Sequence, residues 1–177
     1  VAALRQARAA GLDCSLLLVP RHAERRGEIE PLLRESGFSC HFRTRGAAAS
    51  TVDIAVGDTT GEMRKFLQLA DVVFVGKSLA PHTEGQTPVE SAVLGRPLLF
   101  GPGMGNFRVI TQDLVAADAA IVVADPAALA EEAVALLRDP ARRKALAAAA
   151  EAWHRRNSGA VERTLQAIRA VLTAGNR

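Results

Sequence analysis

Aromatic residues are scarce in this chain, at 4% of 177 residues, and cysteines number only two. The first shortage removes the stacking surface on which nucleic-acid binders rely, and charge does not replace it. The formal net charge is +3, with basic residues scattered among acidic ones along the helical segments. Nucleic acid is therefore not an expected partner. Cys14 and Cys40 sit in apolar segments and show neither CxxC nor metal-ligand spacing, so they are expected as buried, reduced thiols in a cytoplasmic setting. No apolar run approaches the roughly 18 residues of a membrane span, and 49% hydrophobic against 23% charged residues is the balance of a soluble globular domain. Also absent are an initiator Met and a signal-like segment. The chain opens at Val1 inside the helix-like AALRQARAAG, from which a segment of a longer protein is expected.

Several catalytic signatures are missing too. There is no GxGxxG after the first apolar run, no GxxxxGK[ST], no HExxH, no serine elbow and no acid, His and Ser set that can be placed together. No acidic pair of metal-binding type occurs in the polar loops, so neither a metal nor another cofactor is expected.

What remains is a regular alternation. Short apolar runs at 14–19, 38–42, 52–56, 72–75, 97–100 and 120–123 alternate with helical patterns near 24–36, 61–70, 87–95, 105–117 and 126–138. Continuous apolar runs suit strands covered on both faces, and the alternation predicts an α/β fold. We expect a doubly wound, mainly parallel, Rossmann-like sheet of about six strands with helices on both faces. Asp125-Pro126 and Asp139-Pro140 place an N-cap before Pro at the first helical position, while Gly37 and Gly95 stand where helices should end. From residue 126 the sequence is almost wholly helical and Ala-rich. Residues 139–177 are expected as the helical tail of one domain, 1–177. The small, polar segment Arg43 to Val52 is the expected flexible loop.

In such a sheet, ligands bind beyond the carboxyl ends of the strands. Three segments fall there. In VPRH, Pro20 ends the first strand and Arg21 projects from it, able to meet a phosphate or a base edge, or equally to pair with Glu24. In GDTTGEM, Thr59 and Glu62 have the spacing of a capping box, while Gly57 and Gly61 would let backbone N–H groups approach an anion. The third segment, Gly76 to Glu90, is the richest. Gly76 turns the chain, Lys77 offers a cation and Ser78 a hydroxyl, and Thr87-Pro88 reads as N-cap plus first helical residue. Glu90 then falls in the first turn, where a carboxylate can cap the helix or accept hydrogen bonds from vicinal hydroxyls such as those of a ribose. His82, in the same loop, is the histidine placed to contribute.

The ordered series LLLVPRH, VGDTTGEM, LADVVFVGKSL and TPVESAVLGRPLLFGPGMGNF resembles the C-terminal half of the 3-deoxy-D-manno-octulosonic acid (Kdo) transferases. These are lipid A glycosyltransferases of Gram-negative envelopes, and the likeness spans roughly residues 1–125. It implies half of a two-Rossmann-domain, GT-B glycosyltransferase, the half that holds the nucleotide of the donor CMP-Kdo. By position, the family's donor contacts fall on Pro20 and Arg21, on Gly61, Glu62 and Met63, and on Thr87, Pro88, Val89 and Glu90. Glu90 would hold the ribose hydroxyls, and the loop Gly76, Lys77 and Ser78 would lie near the phosphate or sugar. Where the family runs Gly-Gly-Ser-Leu and Gly-His-Asn-Pro-Leu-Glu, this chain has Lys77 in the first motif and Gln86-Thr87 and Val89 in the second.

The resemblance also implies what lies elsewhere. The catalytic glutamate, the surface for the lipid A precursor and the part touching the cytoplasmic side of the inner membrane belong to an N-terminal domain. No catalytic residue is therefore assigned within these residues, which are expected to bind nucleotide without transferring sugar. Two other readings share the fold: a UDP-sugar-binding transferase or epimerase domain, and a non-catalytic Rossmann-like interaction module.

Overall fold

The computed structural model describes residues 1–174; the last three residues of the expected tail, 175–177, lie outside the described residues. Six strands appear, each inside one of the apolar runs: β1 Leu16–Leu18, β2 Cys40–Phe42, β3 Ile54–Val56, β4 Val73–Val75, β5 Leu98–Phe100 and β6 Ile121–Val122. All pairings are parallel, as continuous apolar runs require. The single sheet expected from the sequence is instead two three-stranded sheets, ordered β1-β3-β2 and β4-β5-β6. Strands of two or three residues offer few ladder bonds. Pro20 lacks an N–H just beyond β1, and β4 turns at once into Gly76 and the left-handed Lys77, φ 57°. Each triplet therefore closes on its own middle strand, β3 or β5.

Eight helices connect and cover the strands: α1 Ala2–Ala9, α2 Arg26–Glu35, α3 Met63–Leu69, α4 Val89–Val93, α5 Arg108–Ala116, α6 Pro126–Arg138, α7 Pro140–Asn157 and α8 Ala160–Ala174. Asp125 accepts from the N–H groups of Ala127 and Ala128, both at 2.8 Å, and Asp139 accepts from Arg142 N at 2.9 Å, so both Asp-Pro starts are side-chain capped. The tail is two helices, divided at Ser158 and Gly159, whose φ of 83° no continuing helix accepts.

The middle strand β5 shows why a buried parallel strand reads as an unbroken apolar run. Leu98 and Phe100 face a core with Val75, Ala92, Leu114 and Trp153, while Leu99 faces the opposite core with Val123, Leu136 and Leu146. Helices thus cover both faces of the second sheet. In the first, Phe42, Ile54 and Val56 meet Leu4 of α1 and Leu33 of α2 on one face, whereas Leu17, His41 and Ala55 on the other are half-buried. The two cysteines are half-buried free thiols at the edge of that core rather than fully buried ones. α1 packs on α6, and Arg138 donates to the carbonyl of Ala10 at 2.6 Å, joining the two halves.

Two buried polar side chains fix the loops at the carboxyl ends of the strands. Asp58 follows β3 with a fully buried side chain; it accepts from Thr44 N at 2.9 Å and Thr44 Oγ1 at 2.6 Å, and pairs with Arg26 Nε at 2.7 Å. The segment expected as a flexible loop therefore begins as a 3-10 turn, Arg43–Arg45, pinned by these bonds. Ser78 follows β4, also fully buried. Its hydroxyl donates to Val75 O at 2.6 Å and accepts from Gly101 N at 2.8 Å, while its carbonyl accepts from Gly103 N at 2.8 Å.

Replacing Ser78 by Ala strands a buried carbonyl and a buried N–H, so denaturant titration should show a loss of about 1–3 kcal/mol. Burial pushes the Asp58 carboxyl up, but the hydrogen bonds from Thr44 and the charge of Arg26 outweigh it and hold its pKa below the usual aspartate value. A depressed folded pKa gives stability that is complete above the unfolded value of about 4 and is lost as pH falls through the folded one. Asp58→Asn should cost about 2–4 kcal/mol at neutral pH. Its stability should also fall less steeply than that of the parent chain below about pH 4, measured by urea titration across pH 2–7.

Candidate functional site

The loops after β1 and β4 meet. Arg21 leaves β1 behind Pro20 and donates through Nη1 to Gln86 Oε1 at 3.2 Å, across 65 residues of chain. The alternative partner is otherwise engaged, since Glu24 Oε1 lies 3.2 Å from His22 Nδ1. Gln86 stands just behind Gly85, a buried residue with φ 66° whose N–H donates to Lys77 O at 2.9 Å. A Cβ at Gly85 would meet Met104 Sδ at 2.5 Å, so only glycine fits without displacement.

Helix α4 starts one residue later than expected. Pro88 occupies the N-cap position, and Thr87 Oγ1 accepts from Val89 N at a long 3.4 Å. Pro88 is fully buried and Val89 half-buried, which seats the helix start firmly. Glu90 is half-buried in the first turn of α4. Among the described residues no side chain pairs with its carboxylate.

Lys77, Glu84 and His82 form a compact polar group over this loop. Lys77 Nζ donates to Glu84 Oε1 at 3.3 Å, and His82 Nδ1 lies 3.7 Å from the same oxygen. The Glu84 carboxyl is lowered to about 2, first by its own backbone N–H and that of Thr83, then by Lys77. Glu84 thereby stays ionised at any working pH and holds Lys77 against the loop. Ser78 lies beneath, its hydroxyl committed to Val75 and Gly101. It shapes the loop through the backbone and presents no free hydroxyl. Gly76 is exposed at the turn.

The loop after β3 is organised differently from the capping box the spacing suggests. Helix α3 begins at Met63, with Glu62 at the N-cap position and no side-chain cap. The Thr59 hydroxyl instead donates to Glu62 Oε2 at 2.7 Å, and Arg43 and Lys65 approach the same carboxylate at 3.4 Å each. The Thr59 bond, ahead of the two cations, holds the Glu62 pKa below the usual glutamate value. Gly61 takes a left-handed turn, φ 83°, that brings the chain into α3, and Met63 is partly exposed. This group reaches the rest of the site through packing of α3 on α4. No hydrogen bond joins it to Arg21 or Glu90 among the described residues.

Sequence reasoning assigned no role to Glu84 or to the loop Gly101 to Gly105. The latter is stitched to the loop Gly76 to Glu90 by Gly103 N to Ser78 O and Gly105 N to Thr83 O, both 2.8 Å. An open cavity of about 600 Å³ lies beside it, lined by Thr83, Met104, Arg108, Gln112, Val115 and Val122 among others. None of the twelve residues singled out from the sequence lines that cavity. The signal that could have drawn attention to it is the glycine spacing in FGPGMGNF. Among the described residues no three His, Cys, Asp or Glu side chains cluster as a metal site, and no helix is long and apolar enough to cross a membrane.

No protein-family model matches the chain. Curated relatives do. The 3-deoxy-D-manno-octulosonic acid transferase of Bordetella pertussis is 37% identical over 170 residues, 95% of this chain and 40% of that protein. The same-named protein of Haemophilus influenzae is 33% identical over 159 residues, 89% of this chain and 37% of its own length. Among solved structures, the C-terminal CMP-Kdo binding domain of WaaA from Acinetobacter baumannii superposes with a TM-score of 0.73 at 22% identity, covering 86% of this chain and 97% of that one. That likeness carries the fold. The chain spans about two-fifths of the length of the curated relatives, and within that span it belongs to the 3-deoxy-D-manno-octulosonic acid transferase family.

Proposed function

We propose that this chain is the donor-binding domain of a glycosyltransferase that moves Kdo from CMP-Kdo to a lipid A precursor in lipopolysaccharide synthesis. The observation that carries the reading is the Arg21–Gln86 contact, which brings the loop after β1 to the loop before α4. It leaves the Glu90 carboxylate unpaired beyond it. A carboxylate with no protein partner among the described residues keeps its lone pairs available to a ligand's donors. The two vicinal hydroxyls of a ribose supply them. Arg21 brings uncompensated positive charge to the phosphate, Lys77 adds N–H donors while held by Glu84, and Thr87 offers a hydroxyl close by. Gly61, Glu62 and Met63 close the site from the α3 side.

In this reading the departing CMP is stabilised by those cations with no metal or other cofactor. The general base that deprotonates the acceptor hydroxyl, and the surface for the lipid, lie in an N-terminal domain outside these residues. That domain would hold the enzyme at the cytoplasmic face of the inner membrane. The chain alone should then bind nucleotide and transfer nothing.

Calorimetric titration of the 177-residue chain with CMP and with UMP tests this directly. CMP should bind saturably and more tightly than UMP. Glu90→Ala and Arg21→Ala should each weaken CMP roughly ten- to hundred-fold, the worth of a hydrogen bond to a charged group. Preference for UMP would move the protein to a UDP-sugar transferase or epimerase, and no response to either nucleotide would favour a non-catalytic module.

A further inference from the structure

Most cations around the strand ends are neutralised. Arg25, Arg26, Arg43 and Arg45 lie against Glu28, Asp58, Glu62 and Glu30, and Lys77 lies against Glu84. Arg21 differs: its side-chain partner among the described residues is the neutral amide of Gln86, at 3.2 Å. A carboxylate there would fix the guanidinium equally well and cancel its charge. An amide oxygen engages one donor and leaves both the charge and the other N–H groups available.

The amide gives up something for this. Gln86 Nε2 is buried with no hydrogen-bond partner. Reversing the amide would turn its N–H groups toward the Arg21 guanidinium, donor against donor, so the oxygen must face Arg21 and the nitrogen must stay orphaned. The backbone allows no easy escape, because the left-handed Gly85, packed on Met104, sets where Gln86 begins.

Building on the donor reading above, we infer that Gln86 is a positioning residue: it aims Arg21 at the donor phosphate while leaving the guanidinium charge uncompensated, so that its neutrality sets the affinity for anionic ligands. Arg21 touches the nucleotide; Gln86 acts through Arg21. The chemical consequence is selective. A ligand bearing the phosphate feels the charge, and the nucleoside without it does not.

The test titrates CMP and cytidine into the 177-residue chain and its variants, with melting temperature as a check on folding. Gln86→Glu keeps an acceptor in place and adds the missing negative charge. It should weaken CMP about ten-fold or more and leave cytidine within about two-fold, with the difference shrinking as salt rises. Gln86→Met, similar in size and without an acceptor, should weaken CMP about three-fold by releasing Arg21. In an Arg21→Ala background the neutral Gln86→Met should have no further effect on CMP. Gln86→Glu binding CMP as the parent does, equal losses for CMP and cytidine, or additivity of Gln86→Met with Arg21→Ala would overturn the inference while leaving the donor reading intact. Were Gln86→Glu not to fold, unchanged CMP binding by Gln86→Met would overturn it alone. Failure of the parent chain to bind CMP removes the donor reading and this inference with it.

Discussion

A single buried hydroxyl, that of Ser78, organises the loops at the carboxyl ends of β4 and β5. It bonds β4 on one side and the chain leaving β5 on the other, so the two glycine-rich loops above the second sheet are held as one body. Their backbone N–H groups are consumed in stitching, Gly103 to Ser78 and Gly105 to Thr83. Small residues are needed here for approach as well as for turning: a Cβ on Gly101 or Gly103 would run into the backbone of Ser78 or His82. Everything beyond, including the fixed start of Gln86 and the seat of α4, inherits its place from this joint.

The first sheet reaches the same crevice by a separate route. Asp58 pins the turn after β2 to the end of β3, and no strand ladder links this sheet to the second among the described residues. The halves touch through α1 on α6 and through Arg21 on Gln86. The nucleotide site we propose therefore falls across the line where two small cores meet. Charge is apportioned unevenly over that line: paired ions brace the loops, and among the described residues Arg21 and Glu90 have no ion partner.

Much of this was legible in the sequence. Six apolar runs became six strands, and the Asp-Pro pairs became capped helix starts with Pro126 at the expected first residue. Hydrophobic continuity reports burial on both faces, and so it located strands well. It carries no information on how many hydrogen bonds join neighbouring strands, and the division into two sheets was invisible to it. The pairing of Thr59 with Glu62 was found by spacing, yet its geometry was not. Arg43 and Lys65 draw the carboxylate away from the helix N–H groups, and Arg43 comes from another part of the chain. Likewise Ser78 read as a free ligand donor because nothing local betrays that Gly101, 23 residues on, takes its oxygen. The gap between Arg21 and Gln86 is longer still, and the departure at Gln86 gained meaning only when its partner was seen.

The packing of α1 on α6 has a consequence for the order of events on the ribosome. Arg138 closes on Ala10 across 128 residues, so the face of α1 that meets α6 waits for most of these residues before it is covered. Local β-α units can collapse earlier around β3 and β5. Contact order is thus low within each half and high between them, a distribution expected to separate fast formation of the parts from slower docking of the whole. The crevice that carries Arg21 and Gln86 is completed in that last step.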